Sequence, residues 1–402
     1  MKDELLRELI IKNDHKIIYL ILDGLGGHPL PGHDSTELET ARTPNFDRLA
    51  REGICGLLDP VSPGITPGSG PGHLALFGYN PQEFLIGRGV LSALGVEFHL
   101  TPKDVAARLN FCTIDENGVV VDRRAGRIPT ELNRKLCQKI RQQVQLNADV
   151  EFFIETESEH RAVLILRGEG LGGYINDTDP QVVGQKPIEP RGQDSASEKT
   201  AALVQSFLAQ VREILKDESP ANYVLARGFA KYDPLPTMEE RFGLKSIAIA
   251  QYPMYRGLAR LVGMQVPPKP ETYEAMWEQL KASYDQFDFF FIHFKKTDST
   301  GEDGAFDKKV KVIEEIDAWA GRLRELNPAV IVVTGDHSTP SVLKSHSWHP
   351  VPALLWSPYA RPDAVTTFGE RDCARGYLNR METRHLIILA LANALRLKKF
   401  GA

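Results

Sequence analysis

Three apolar runs in this chain end on carboxylates. Residues 16–22 lead into Asp23, and residues 329–334 lead into Gly335, Asp336 and His337. Residues 288–294 are followed, after Lys295, Lys296 and Thr297, by Asp298. Runs of this kind suit strands buried on both faces of a parallel sheet. In open α/β sheets ligands bind outside the carboxyl ends of the strands, so Asp23, Asp298, Asp336 and His337 would meet in one crevice. Carboxylates held together raise one another's pKa unless a cation lies among them. The chemistry implied is a divalent metal site. Taken singly, an Asp after a strand also serves as a turn or cap residue; the convergence of three favours the metal.

Further candidates lie close by in sequence. Glu302 is four residues after Asp298, a spacing that puts two carboxylates on one face of a helical turn, although a solvated charged turn has the same pattern. His346 and His349 both precede an apolar run. Both could ligate, or one could only hydrogen-bond, and His346 is the favoured ligand. In Thr66-Pro-Gly-Ser69-Gly-Pro-Gly-His73 the glycines beside Ser69 would let the backbone expose its hydroxyl. A plain surface turn fits that composition as well. Pro67 breaks the G-x-S-x-G pattern of a nucleophile elbow, so an active Ser69 would rely on a metal to ionise it. Gly24-Leu-Gly26 carries Pro29 where a dinucleotide fingerprint needs its third glycine, and no P-loop is present.

The middle of the chain supplies cations: Arg108, Arg123, Arg124, Arg127, His160, Arg161, Arg167, Arg191 and Arg227. Arginine suits bidentate contact with phosphate or carboxylate. A segment rich in arginine beside a dimetal domain with a serine points to phosphoryl chemistry.

The elements that must position these groups follow from periodicity. Residues 3–11, 198–215 and 306–326 have helical spacing, and Thr43 with Pro44 marks a helix start. Residues 246–250 and 353–356 add strands, while 59–72 and 176–194 are dense in turn formers and predict loops. Between them, 119–121, 150–154 and 161–166 are short strand candidates. Apolar strands alternating with helices predict an α/β fold with a mostly parallel sheet. Its texture is lost at about 100 and returns by about 240. The expected organisation is a discontinuous metal-binding domain, 1–100 and 240–402, interrupted by a smaller α/β (α+β) substrate-binding domain at 101–239.

Composition narrows the class. The 402 residues, 42% hydrophobic and 25% charged, exceed one ordinary core and predict a globular protein of two domains. A net charge of −5 gives no global reason to bind nucleic acid. No apolar stretch approaches the roughly 20 residues of a membrane span, and no signal-peptide pattern is present. The four cysteines form no CxxC pair, which predicts reduced thiols and a cytoplasmic location.

Taken in order, these residues resemble a known family. The motifs are Leu22-Asp-Gly-Leu-Gly-Gly27, Ala41-Arg-Thr-Pro-Asn45, Gly68-Ser69 through Gly72-His73-Leu74 and Gly87-Arg-Gly89. They continue with Glu159-His-Arg161, Asp177-Thr-Asp-Pro180, Lys296-Thr-Asp298 to Gly304, Thr334-Gly-Asp-His337 and Ser345-His346 to Pro352. Nearly the whole chain resembles the 2,3-bisphosphoglycerate-independent phosphoglycerate mutases, in their shorter archaeal-type branch within the alkaline phosphatase superfamily. The resemblance implies an alkaline-phosphatase-like metal domain and two divalent ions, Mn2+ foremost, with Mg2+, Co2+ or Zn2+ as alternatives. It implies Asp23, Ser69, Asp336 and His337 around one ion, and Asp298, Glu302 and His346 around the other. The longer mutases have histidine at the position of Glu302, so ion preference here can differ. The activity implied is that of an isomerase of glycolysis and gluconeogenesis, in which Ser69 takes the phosphoryl group of 3-phosphoglycerate and returns it to the other hydroxyl. Arg161, Arg227 and Arg256 would grip phosphate and carboxylate, and His160 and Asp177 would manage hydroxyl protons. A phosphatase, a phosphodiesterase or another phosphomutase of the superfamily would share the metal motifs. A metal-binding regulatory protein is a rival of another class, against which the intact Ser69 argues. The oligomeric state is not legible in the sequence.

Overall fold

A computed structural model describes residues 3–146 and 149–401 of the chain. They divide into two compact units, residues 1–85 with 235–402, and residues 86–234. The crossings therefore fall at 85/86 and 234/235 rather than at 100/101 and 239/240. The physical reason for the first shift is the helix Arg88–Gly95, which packs on the strands Asp104–Ile114 and Tyr223–Lys231 of the second unit.

The first unit is built on a seven-stranded sheet. Its order is Asn379–Glu382, Ile54–Asp59, Val351–Trp356, Val330–Thr334, Ile17–Leu22, Phe289–Phe294 and Ser246–Ala250. Val351–Trp356 runs antiparallel to both neighbours, and every other pairing is parallel. The central strands are buried along their whole length, which is why they read as unbroken apolar runs. Helices with one apolar stripe cover them. Phe306–Ala320 turns Ile313 and Ile316 into the core that holds Ile18, Leu20, Phe290 and Val333. The periodicity predicted this helix to 326, but it ends at Ala320 and a separate 3-10 turn spans Leu323–Leu326.

Registers settle what the strand ends bring together. Leu22 pairs with Phe294, and Ile21 with Thr334. Asp23, Lys295 and the Gly335-Asp336-His337 turn therefore leave the sheet side by side at its carboxyl edge.

One predicted loop is shorter than expected. Residues 59–72 were to be irregular, yet a helix begins at Ser69 and runs to Leu76. Pro71 in its first turn forfeits only an amide that has no helical partner, so Pro and Gly there do not prevent helix. Gly72 is required by packing: a Cβ on it would stand 2.3 Å from the carbonyl oxygen of Asp336.

The second unit is a five-stranded sheet, Val120–Asp122, Asp104–Ile114, Arg161–Arg167 and Glu151–Ser158, with Tyr223–Lys231 also paired to Asp104–Ile114. All its pairings are antiparallel. The helices Thr130–Gln143 and Ser195–Leu215 pack with it around a separate core that includes Leu109, Phe111, Ile140, Leu164 and Phe207. The long central strand escaped periodicity because Arg108 and Asn110 alternate with the core residues Leu109 and Phe111 and line a polar cavity on the other face.

Candidate metal centre and anion cavity

Asp23, Asp336 and His337 are completely buried. Asp23 Oδ1 lies 3.2 Å from His337 Nε2, which lies 3.3 Å from Asp336 Oδ2. Among the described residues none of these three atoms has a hydrogen-bond partner. Buried polar atoms are ordinarily paired, and an uncompensated buried charge is costly. Ligands about 2.0–2.2 Å from one ion stand roughly 3–3.5 Å apart. The spacing and the missing partners both fit a metal ion held among the three. A second group, Asp298, His337 and His346, also has ligand atoms close enough to share an ion.

The charges tell the same story. Burial would raise the Asp23 carboxyl, but the imidazoles of His293 and His337 and the charge of Lys295 hold it well below the ordinary carboxylate range. Burial opposes a charged His337, yet Asp336, Asp23 and Asp298 around it push its pKa up to about 9. Without a metal, protonated His337 is part of the positive charge that offsets these carboxylates, and metal binding would release that proton.

Second contacts orient the ligands. The Thr339 hydroxyl lies 2.6 Å from Asp298 Oδ1 and 3.0 Å from His337 Nδ1. Its single hydrogen goes to the carboxylate, so His337 donates from Nδ1 and leaves Nε2 for a metal. His346 Nδ1 lies 2.9 Å from the Pro67 carbonyl oxygen, while its Nε2 lies 3.7 Å from Asp298 Oδ1 and 4.0 Å from Glu302 Oε1. Glu302 closes the helix Lys296–Glu302 and its side chain is 53% exposed. It stands at the edge of the second group rather than within it. His349 instead meets the Ser347 hydroxyl at 2.9 Å and belongs to neither group.

Ser69 heads its helix between the two groups' attachments. Pro67 is tied to His346, and the Ser69 carbonyl oxygen lies 2.8 Å from His73 Nδ1, which is 3.1 Å from Asp336 Oδ2. The Tyr255 phenol faces the Ser69 and Asp23 side chains and receives a 3.1 Å bond from Lys295 Nζ. Lys295 also bridges Asp23, at 3.1 Å, and Asp298.

Sequence reasoning missed His73, His293, Lys295, Tyr255 and Thr339. His293 sits on the strand Phe289–Phe294 with Nε2 3.3 Å from Asp23 Oδ2. The only signal for it was a histidine inside an otherwise wholly apolar run, a position that normally rejects polar groups.

In the second unit a cavity of about 250 Å³ is lined by Arg108, Arg123, Arg124, Arg127, Arg161 and Arg227 with Asn110, Glu159 and His160. Arg123 is committed to a two-pronged bond with Asp179, at 2.9 and 2.7 Å. Among the described residues the buried Nε atoms of Arg108, Arg161 and Arg227 and the Nδ1 of His160 have no hydrogen-bond partner. Arg108 and Arg227 are also cross-strand neighbours, an arrangement that costs stability for like charges. Such a concentration of cation fits a small anion. Burial and the neighbouring Arg161 hold the His160 imidazole down to about 4. Asp177 does not line the cavity; it accepts from the Gly228 amide at 2.6 Å and lies 4.0 Å from Arg227 Nε. Arg256 belongs to the first unit, on the helix Pro253–Leu261, with Nη1 3.2 Å from the Ala250 carbonyl oxygen.

The chain is similar to known proteins along nearly its whole length. A model of the 2,3-bisphosphoglycerate-independent phosphoglycerate mutase family matches residues 50–222. A probable 2,3-bisphosphoglycerate-independent phosphoglycerate mutase of Thermus thermophilus is 50% identical over 99% of this chain and 98% of its own length. A solved cofactor-independent phosphoglycerate mutase of Thermoplasma acidophilum is 30% identical, with a TM-score of 0.74, over 94% of this chain and 100% of that one. A Pyrococcus horikoshii protein superposes with a TM-score of 0.81 at 30% identity, over 97% and 100% of the two chains. The chain belongs to the 2,3-bisphosphoglycerate-independent phosphoglycerate mutase family.

Proposed function

We propose that this protein is an isomerase that interconverts 3-phosphoglycerate and 2-phosphoglycerate without a bisphosphoglycerate cofactor, through a phosphorylated Ser69. The observation that carries the reading is the set of unpartnered, buried Asp23, Asp336 and His337 atoms next to the helix that begins at Ser69. Its family supplies the substrate, since the relatives are named for phosphoglycerate.

Asp23, Ser69, Asp336 and His337 would hold one divalent ion, and Asp298, His346 and Glu302 the other, with His337 close to both groups. The mixed carboxylate and imidazole donors suit Mn2+ first, with Mg2+, Co2+ or Zn2+ as alternatives. Bound there, the ions supply Lewis acidity that favours the Ser69 alkoxide and neutralises phosphoryl oxygens.

The chain's own groups do the rest. Ser69 Oγ forms the new P–O bond as the substrate's ester P–O bond breaks, and the released hydroxyl takes a proton. The return step reverses this at the other hydroxyl of glycerate. Lys295, beside Tyr255, adds positive charge near Ser69. Arg161 and Arg227 bind phosphate and carboxylate as planar donors; Arg256, in the first unit, is a further candidate donor by itself. His160 exchanges the hydroxyl proton; a bound anion would raise its pKa toward the range where a base is effective. Asp177 positions Arg227 and the Gly228 turn. The substrate is a small molecule, and neither nucleic acid nor membrane is a partner in this reading. Among the described residues no helix is long and apolar enough to cross a membrane. All four cysteines are buried free thiols, which suits the reducing cytoplasm.

The test is turnover of 3-phosphoglycerate by metal-loaded protein with no bisphosphoglycerate added. Formation of 2-phosphoglycerate that disappears in Ser69→Ala, together with label from [32P]phosphoglycerate on Ser69, is expected. Release of free phosphate faster than 2-phosphoglycerate forms would replace the mutase with a phosphatase.

A further inference from the structure

The helix Phe306–Ala320 delivers one lysine into the core. Lys309 is completely buried. Its Nζ donates to the carbonyl oxygens of Gly24 at 2.8 Å, Gly26 at 3.2 Å and Thr339 at 2.9 Å. An ammonium group has three donors, and all three are used on backbone. Gly24 and Gly26 follow Asp23; Thr339 follows Asp336 and His337. The two ligand-bearing turns are thus joined through one side chain. They also bond directly, since the Thr339 amide donates to the Gly24 and Gly26 carbonyl oxygens at 3.3 and 3.0 Å. The helix Lys296–Glu302, which carries Asp298, packs against the helix that carries Lys309.

Burial disfavours this cation and holds its pKa below the ordinary lysine value, and nearby carboxylates offset part of that cost. Buried Glu37 and half-buried Glu370 are the nearest of these carboxylates in effect. Both carboxylates grip the same turns. Glu37 accepts from the His28 and Ser341 amides at 3.1 and 2.7 Å, and Glu370 accepts from the Gly27 amide at 2.8 Å. A hydrophobic side chain would fill the same volume without the cost of burying a charge. What a lysine adds is a fixed spacing between turns whose side chains must converge within a few tenths of an ångström on one ion.

We propose that Lys309 is a positioning residue for the metal centre, setting the distance between Asp23 and the Asp336–His337 pair by holding the backbone of the turns that follow them. The inference rests on the metal reading of those three side chains. Its test compares Lys309→Met with Ile313→Ala, an apolar core change on the same helix whose side chain has no hydrogen bond to give either turn. Mn2+ binding is measured by the EPR signal of free ion, at a temperature where each protein is folded by circular dichroism. Lys309→Met is expected to weaken Mn2+ binding by about 10–100-fold, the loss typical when support behind metal ligands is removed. Excess Mn2+ should restore its kcat. Ile313→Ala should bind Mn2+ as the parent does, within about twofold, even where its melting temperature falls as far. Equal Mn2+ affinity in Lys309→Met and parent would overturn the assignment, as would an equal loss in Ile313→Ala. A parent that binds no Mn2+ would instead defeat the metal reading on which the assignment stands. Should Lys309→Met not fold, Lys309→Gln, which keeps an amide donor, takes its place; failure of both to fold overturns the positioning role in favour of a purely structural one.

Discussion

The Thr339 hydroxyl stands 2.6 Å from Asp298 Oδ1 and joins that carboxylate to His337. It ties one candidate ion group to the other and selects the histidine tautomer. Thr339→Val keeps the shape and removes the bond, leaving a buried carboxylate oxygen and a ring N–H unpaired, at a cost of about 1–3 kcal/mol. Mn2+ binding should weaken by about 10–100-fold, and Thr339→Ser should recover most of it. Calorimetric titration of the stripped protein checks both; equal affinity in the valine variant would show that the hydroxyl is dispensable.

Metal should also stabilise the fold, because the folded chain gathers carboxylates that the unfolded chain separates. At a free Mn2+ concentration about 100 times Kd, linkage gives about 2.7 kcal/mol, a rise in melting temperature of roughly 3–5 °C for a chain of this size. The rise should be reversed by chelator and largely absent in Asp23→Asn. A parent melting curve indifferent to Mn2+ would contradict the site.

Asp23 and Asp336 were legible because a strand buried on both faces shows as an unbroken apolar run, and the residue after it must sit at the sheet edge. Ser246–Ala250 and Ile17–Leu22 were visible for the same reason. The support around the ligands was not. Thr339 and Lys309 act through contacts across 41 and 285 positions of sequence, and nothing local distinguishes Lys309 from its exposed neighbour Lys308 on a charged helix. The strand Asp104–Ile114 was hidden because its second face lines an arginine-rich cavity, where arginine replaces the apolar residue that alternation expects.

The His160 imidazole should register in acid stability. Burial and Arg161 lower its pKa to about 4, whereas the unfolded chain titrates near the ordinary value of about 6.5. The unfolded state therefore binds more protons between those values. The stability from neutral His160 is complete above about pH 6.5 and is lost as pH falls toward 4. Replacing it with Asn removes that dependence, so the variant's melting temperature should fall less than the parent's between pH 7 and 4.5. Parallel curves would mean that His160 titrates normally.

Arg227 offers the sharpest separation of function from fold. It sits opposite Arg108 across two antiparallel strands, with its nearest carboxylate oxygens 3.7 and 4.0 Å away on Asp179 and Asp177. Like charges so placed repel, so a residue kept there for stability alone is a poor choice. Arg227→Ala should leave the melting temperature of the anion-free protein unchanged or raise it. If Arg227 binds phosphoglycerate, the same change removes charge-assisted hydrogen bonds worth about 1.5–3 kcal/mol, which raises KM by roughly 10–100-fold. Arg227→Lys should recover little, because a point charge does not reproduce the planar two-donor contact. Mn2+ affinity should be untouched, since every candidate ligand belongs to the other unit. Steady-state kinetics beside melting curves decides the matter. A variant that loses stability and keeps its KM would assign Arg227 to the fold and leave Arg161 to hold the substrate.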